Sequence, residues 1–229
     1  MQHEFWHDKW HTNQIGFHQQ EVNKLLLKHW PSMDTQPNQT VLIPLCGKSL
    51  DVLWFVSQGL NVVGIELSEI ALDELAQSLR DRFGLVVTKS TLEYNGTLFT
   101  TYCSEGVLLI AGDFFAVDKH LLTEWIGEID LIYDRAAIVA LPPTMHQQYA
   151  EHLVRLSDAA PQLLLSFDYN QDVRSGPPFS VPASEVHTHY QAHYQNIDLL
   201  EVRELIEHEP SFKEQGLNSF KQLVYRLTN

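Results

Sequence analysis

The sequence predicts an α/β fold: a mostly parallel sheet that closes with an antiparallel pair at one edge. Three observations predict it. Apolar segments of strand length alternate with amphipathic segments of helical period along most of the chain, and that alternation calls for right-handed βαβ crossovers. The stretch 41-VLIPLCGKSLDVLWF-55 reads as strand, tight glycine turn and helix, the local shape of a ligand-binding α/β turn. The last two apolar segments, about 198–208 and 218–227, have no clear helical pattern between them, so they pair directly as a hairpin.

Each element follows from its own residues. Residues about 4–30 read as helical, because Val22, Leu25, Leu26 and Trp30 share one face. Pro31 and the polar run to Gln39 make a loop before the strand 41-VLIPL-45. Ser49 is placed to cap a helix over about 49–58, with Asp51 in its first turn. After Gly59 comes the strand 61-NVVGIEL-67. Ser68 then caps a helix to about Phe83, with Leu72, Leu75, Leu79 and Phe83 on one face. In 91-TLEYNGTLFTTY-102, Asn95-Gly96 between β-rich flanks signals a type I′ hairpin. The strand 107-VLLIAGD-113, a helix near 119–127, the strand 129-IDLIYDR-135, a helix near 144–157 and the strand 162-QLLLSFDY-169 complete the alternation. The segment 176-GPPFSVP-182 reads as loop.

Composition bounds the partners. With 229 residues and 44% hydrophobic content, a single domain over 1–229 is expected. Formal net charge is −14, from 15 Lys+Arg against 29 Asp+Glu, with no basic block. Such a surface repels polyanions, so no nucleic-acid partner is expected and a small molecule is favoured. No run of 18 apolar residues is present, so no membrane partner is expected. The start MQHEFWHDKWH has neither a basic nor an apolar signal region, and two cysteines cannot build a disulfide framework. A cytoplasmic, monomeric protein is the expectation.

Three motifs fail on their own chemistry. Gly47-Lys48-Ser49 follows a strand, but a phosphate loop needs a glycine where Leu42 stands. The stretch 3-HEFWH-7 matches a zinc-peptidase signature, yet it sits at a terminus and reads as an amphipathic helix. The stretch 168-DYNQD-172 opens like a calcium loop, but Val173 and Phe179 occupy the positions that need Gly and Glu.

The glycine turn then narrows the ligand. Dinucleotide enzymes carry three glycines here so that the backbone can approach a pyrophosphate, and 44-PLCGKSLD-51 has one. That disfavours an NAD-linked oxidoreductase and suits a nucleoside ligand without phosphate. Glu66 ends the second strand 19 positions after Gly47, where an acid can accept from both ribose hydroxyls. Asp113 ends the next apolar strand, placed to accept from an adenine amino group, with Phe114 to pack on the ring. Two acids at successive strand tips, no phosphate loop and an acidic chain point to S-adenosyl-L-methionine (SAM), whose sulfonium and ammonium are cationic.

These residues carry a resemblance. The stretches 6-WHDKWHTNQIGFHQ-19, 41-VLIPLCGKSLDVLW-54, 63-VGIELS-68, 112-GDFF-115, 131-LIYDRAAIVALPP-143 and 176-GPPFSV-181 are similar, nearly end to end, to bacterial thiopurine S-methyltransferases. The resemblance implies the class I SAM-methyltransferase fold: seven strands, helices on both faces, the last strand antiparallel. It implies a 1–30 helical lid over the active site. Trp10 resembles a lid residue over SAM; Leu45 and Gly47 resemble SAM contacts at the turn. Glu66 resembles the ribose acid, and Asp113 and Phe114 the adenine-side pair. Arg135 resembles an arginine at the methyl-transfer centre, touching cofactor and acceptor, and Phe17 an aromatic over the acceptor. Mammalian members use a second arginine near the C-terminus; here that region is 209-EPSFKEQGL-217, where Lys213 is the nearest cation. The plain alternatives stay open: Trp10 and Phe17 as core residues, and Arg135 in a structural pair with Asp134.

The implied activity is methylation of the sulfur of aromatic or heterocyclic thiols, with selenium or tellurium compounds as further acceptors. S-adenosyl-L-homocysteine is the product, no metal is required and the role is detoxification. The thiolate is the nucleophile. Heterocyclic thiols ionise readily, so no strong general base is needed and none is evident. The rivals are a SAM-binding methyltransferase acting on a different small nucleophile and a SAM-binding protein without turnover.

Overall fold

The computed structural model describes residues 3–229. Two compact units make up the chain, one ending at Leu131 and the other Ile132–Asn229.

In the first unit the strands are β1 (Thr40–Pro44), β2 (Asn61–Glu66), β3 (Thr88–Tyr94), β4 (Thr97–Ser104) and β5 (Val107–Ala111), in the order β3-β4-β5-β2-β1. β1 and β5 flank β2 in parallel, with Pro44 opposite Ile65 and Glu66 opposite Ala111. That register brings the turn after β1, the tip of β2 and the loop after β5 to one end. β1 and β5 are buried at every position, as central parallel strands require. The helices are α1 (His3–His11), α2 (Lys24–His29), α3 (Leu50–Ser57), α4 (Glu69–Phe83) and α5 (Lys119–Ile126).

The caps fall where the sequence puts them. Ser49 Oγ accepts from Asp51 N, and Ser68 Oγ accepts from Ala71 N. Each cap contributes about 0.5–2 kcal/mol. Gly84 ends α4 in the left-handed region at φ 67°. Asn95 and Gly96 have φ of 50° and 76°, the two positive values a type I′ turn demands. This hairpin adds β3 and β4, antiparallel, beside β5. The described residues therefore hold nine strands rather than seven.

The expected continuous helix over 4–30 is corrected. α1 stops at His11, Asn13 turns left-handed at φ 53°, and α2 starts only at Lys24. The cause is Asn23, whose buried side chain accepts from Leu25 N and Leu26 N and so starts a new helix. Asp51 Oδ1 holds the Asn23 N–H at 2.8 Å and pins that start to α3.

In the second unit β6 (Leu131–Arg135) runs parallel to β7 (Gln162–Asp168) through α6 (Pro143–Ser157). β9 (Lys221–Thr228) is antiparallel to both β7 and β8 (Asn196–Glu204), giving the order β6-β7-β9-β8. The antiparallel last strand and the edge pair therefore stand as expected. Residues 176–182 carry no helix or strand. The expected plain loop after β8 holds a short helix, α8 (Pro210–Glu214), whose Phe212 packs against Tyr169, Leu217 and Phe220. Helix α7 (Ala183–Tyr190) was not expected; Val186 and Tyr190, four apart, bury its inner face.

Candidate active site

Glu66 is the centre of the site in the first unit. It ends β2 and is 7% exposed. Its Oε2 accepts from Gly47 N and its Oε1 from Ser68 N, both at 2.9 Å. The Trp10 indole and the Leu67 N–H donate to it as well. Burial pushes its carboxyl up from the ordinary value, and these donors pull the other way. The result is a carboxylate fixed at a strand tip by donors on both of its oxygens.

The turn beside it is shaped by backbone. Leu45 and Gly47 both have positive φ, 47° and 54°. A Cβ on Gly47 would stand 3.1 Å and 3.3 Å from the Trp10 ring, so glycine is what lets a flat group lie on this backbone. Cys46 N donates to Ile65 O, and the thiol is buried between the turn and Gly64. Burial, then the Glu66 carboxylate, hold that thiol well above its usual range, so it is not a nucleophile. Lys48 pairs with Glu74 at 2.6 Å and its ammonium lies 6.0 Å from the Trp10 ring centre.

Asp113 follows β5 in the neighbouring position. Its Oδ1 accepts from Phe115 N at 3.0 Å, and Gly112 N donates to Glu66 O at 2.9 Å. Phe114 is buried, at 5.5 Å and 74° from Phe115. Helix α1 spans both tips: His3 Nε2 lies 3.4 Å from Asp113 Oδ2, while Trp10 reaches Gly47 and Glu66. The helical reading of 3-HEFWH-7 holds. Trp10 is buried, whereas Phe17 is 36% exposed. Phe17 meets Trp10 edge-on at 5.4 Å and Trp6 at 5.7 Å. The structure thus brings together Trp10, Phe17, Leu45, Gly47, Glu66, Asp113 and Phe114. The Trp10–Glu66 hydrogen bond is what sequence reasoning missed; the W-x-x-x-W spacing in α1 carries no sign of it.

Arg135 lies in the second unit, at the carboxyl end of β6, half-buried. Ala136 after it turns left-handed at φ 62°. Its neighbour Asp134 is fully buried, accepting from Tyr149 Oη at 2.9 Å, Gln162 Nε2 at 3.5 Å and Ile138 N at 3.3 Å. Burial raises this carboxyl to about 7, against the pull of those donors. Lys213 is tied to exposed Glu207 at 2.6 Å. The guanidinium beside α8 is that of Arg174, which stacks on Phe212 at 3.9 Å and donates to Gln215 Oε1. Forty residues of intervening chain hid it from the sequence.

Solved structures share the fold. A Burkholderia thailandensis 1,6-didemethyltoxoflavin-N1-methyltransferase, with 1,6-didemethyltoxoflavin and S-adenosylhomocysteine bound, matches 99% of this chain and 87% of its own at TM-score 0.58 and 15% identity. A Haemonchus contortus phosphoethanolamine N-methyltransferase 2 in complex with SAM matches 90% of this chain and 52% of its own at TM-score 0.61 and 12% identity. The architecture is that of the class I SAM methyltransferases. Among sequences, thiopurine S-methyltransferase of Teredinibacter turnerae is 45% identical over 195 residues, 85% of each chain. That of Pseudomonas entomophila is 39% identical over 229 residues, the full length of both. The thiopurine S-methyltransferase family model matches residues 1–229. With the PLCGKSLD turn, the Glu66 tip and the YDRAA strand end all in place, this chain belongs to the thiopurine S-methyltransferase family.

Proposed function

We propose that this chain transfers a methyl group from SAM to the sulfur of an aromatic or heterocyclic thiol, releasing S-adenosyl-L-homocysteine. The observation that carries the reading is Glu66: a buried carboxylate at a strand tip, beside a glycine turn whose missing Cβ lets a flat ring, here that of Trp10, lie against the backbone. The residues fit the group. Glu66 holds the ribose hydroxyls, Leu45 and Gly47 present backbone to it, and Asp113 and Phe114 take the adenine side. Trp10 covers the cofactor as part of a lid formed by residues 1–30, and Phe17 covers the acceptor.

When bound, SAM supplies an electrophilic methyl group on a sulfonium. The chain's own work is binding, orientation and exclusion of water. Ribose hydroxyls at Glu66 would share or replace the Trp10 indole N–H that donates there, which would link nucleoside binding to the position of α1. Arg135, always cationic, favours the anionic thiolate over the thiol.

A net charge of −14 argues against a nucleic-acid partner, and no helix among the described residues is long and apolar enough to cross a membrane. The reading places a monomer in the cytoplasm, detoxifying thiols and the corresponding selenium or tellurium compounds. Incubation with methyl-labelled SAM and a panel of aromatic thiols, aliphatic thiols and selenols tests it. Label is expected on aromatic sulfur. SAM binding without label on any acceptor would make the chain a SAM-binding protein and overturn the transferase reading.

A further inference from the structure

His146, Glu185 and His189 gather in the second unit, and the methyl-transfer reading uses none of them. We propose that they form a binding site for a divalent transition-metal ion of the zinc class, joining α6 to α7.

The ligand atoms of the three side chains lie within 4.8 Å of one another. Glu185 and His189 are four residues apart on α7 and so share one face. His146 comes from the first turns of α6.

The hydrogen-bond roles require a cation. His146 Nε2 is 2.7 Å from the Leu141 carbonyl, which can only accept, so Nε2 carries the proton. The lone pair then sits on Nδ1, aimed at Glu185 Oε1 at 2.7 Å. Two lone pairs at that distance repel unless a proton or a metal ion stands between them. His189 Nε2 faces the same oxygen at 3.3 Å, and its Nδ1 is buried without a hydrogen-bond partner. The His146–Glu185 contact therefore needs a proton or a metal ion, and the hydrogen bonds of His189 are incomplete. An imidazole whose far N–H is fixed by a backbone carbonyl is also how metal-bound histidines are oriented.

The two pairs that include Glu185 are near tetrahedral spacing, and His146 and His189 close on the ion from within a 4.8 Å span. Bonds of about 2.0–2.1 Å set tetrahedral ligands about 3.3 Å apart. The His189–Glu185 separation is already 3.3 Å; the His146–Glu185 contact opens by about 0.6 Å. The side chain of His146 is fully buried and that of His189 is 10% exposed, whereas Glu185 at 26% leaves a route for the ion and a water ligand. Two imidazoles and one carboxylate favour Zn²⁺, Co²⁺ or Ni²⁺ over Mg²⁺ or Ca²⁺.

The test uses the full chain, stripped with chelator and titrated with ZnCl₂ and CoCl₂, with MgCl₂ as control. Calorimetry should show one zinc ion bound per chain in the micromolar range or tighter. Co²⁺ should give the visible absorption of a four-coordinate site, and Zn²⁺ should raise the Tm. His189→Ala and Glu185→Gln should each weaken Zn²⁺ binding about tenfold or more. Glu185→Gln keeps the site's volume and serves where the alanine variant folds poorly. His120→Ala removes an exposed histidine whose i,i+4 partner is Glu124 and should leave binding unchanged. No saturable Zn²⁺ binding, or binding undiminished in both site variants, would leave a proton as the bridging cation and overturn the proposal.

Discussion

The backbone N–H of Gly47 donates to Glu66 Oε2 at 2.9 Å, across 19 residues of chain. This one bond ties the turn after β1 to the tip of β2. It presents glycine backbone and a buried carboxylate on the same side of the parallel pair. Adding Ser68 N on Oε1 locks the carboxylate plane.

Glu66→Ala should weaken SAM binding about tenfold or more, because hydrogen bonds to charged groups contribute about 1.5–3 kcal/mol. Calorimetric titration checks it, with circular dichroism to show that the variant is folded. In the parent, SAM at about 100 times its Kd should add about 2.7 kcal/mol to stability, while NAD and ATP add little. Unchanged SAM affinity in a folded Glu66→Ala variant would remove this residue from the ribose site.

Arg135→Ala should lower kcat far more than SAM affinity, with a loss of about 2–4 kcal/mol for a single preorganised electrostatic group. Arg135→Lys should recover part of it, since charge remains and fork geometry is lost. Steady-state kinetics with an aromatic thiol, run beside SAM titration of the same variants, separate the two effects. A collapse of SAM affinity with normal kcat at saturation would move Arg135 to the cofactor side.

Gly64→Ala should destabilise the first unit without touching a ligand group. Its Cβ would stand 2.8 Å from Cys46 Sγ and 2.8 Å from Leu109 Cδ2, both buried. Overpacking of this kind costs about 1–3 kcal/mol, a fall in Tm of about 2–4 °C for each kcal/mol. Adding Cys46→Ala removes one of the two clashes and should restore part of the loss. Equal melting temperatures for parent and Gly64→Ala would contradict the close packing of β2 against the turn.

Asp134 sets a pH dependence. Its carboxyl is raised from 3.8 to about 7 in the fold. Between those values the folded protein binds the extra proton, so this residue's contribution is full below about pH 3.8 and is lost as pH rises towards 7. Asp134→Asn keeps an acceptor for Tyr149 and does not titrate. The stability advantage of the parent over Asp134→Asn, measured by urea unfolding, should shrink from pH 5 to pH 8. A difference that grows with pH would mean that the buried carboxyl is ionised and paired.

By itself the sequence determined the elements whose instructions are local. Ser49 and Ser68 announce their helices, because a side-chain oxygen beside free N–H groups needs only neighbours two or three residues away. Asn95-Gly96 announces its hairpin, because both residues tolerate positive φ. Glu66 and Asp113 were legible as strand-end acids, since an apolar run that stops at an acid marks its own boundary. Tertiary structure decided the rest. Asn23 caps α2 locally, but it is Asp51, 28 residues away, that holds its N–H and fixes that start against α3. Trp10 meets Gly47 and Glu66, Arg174 meets Phe212, and His146 meets Glu185 through contacts that depend on which strands pair and in what register. Periodicity records which face of an element is apolar; it does not record what that face will meet.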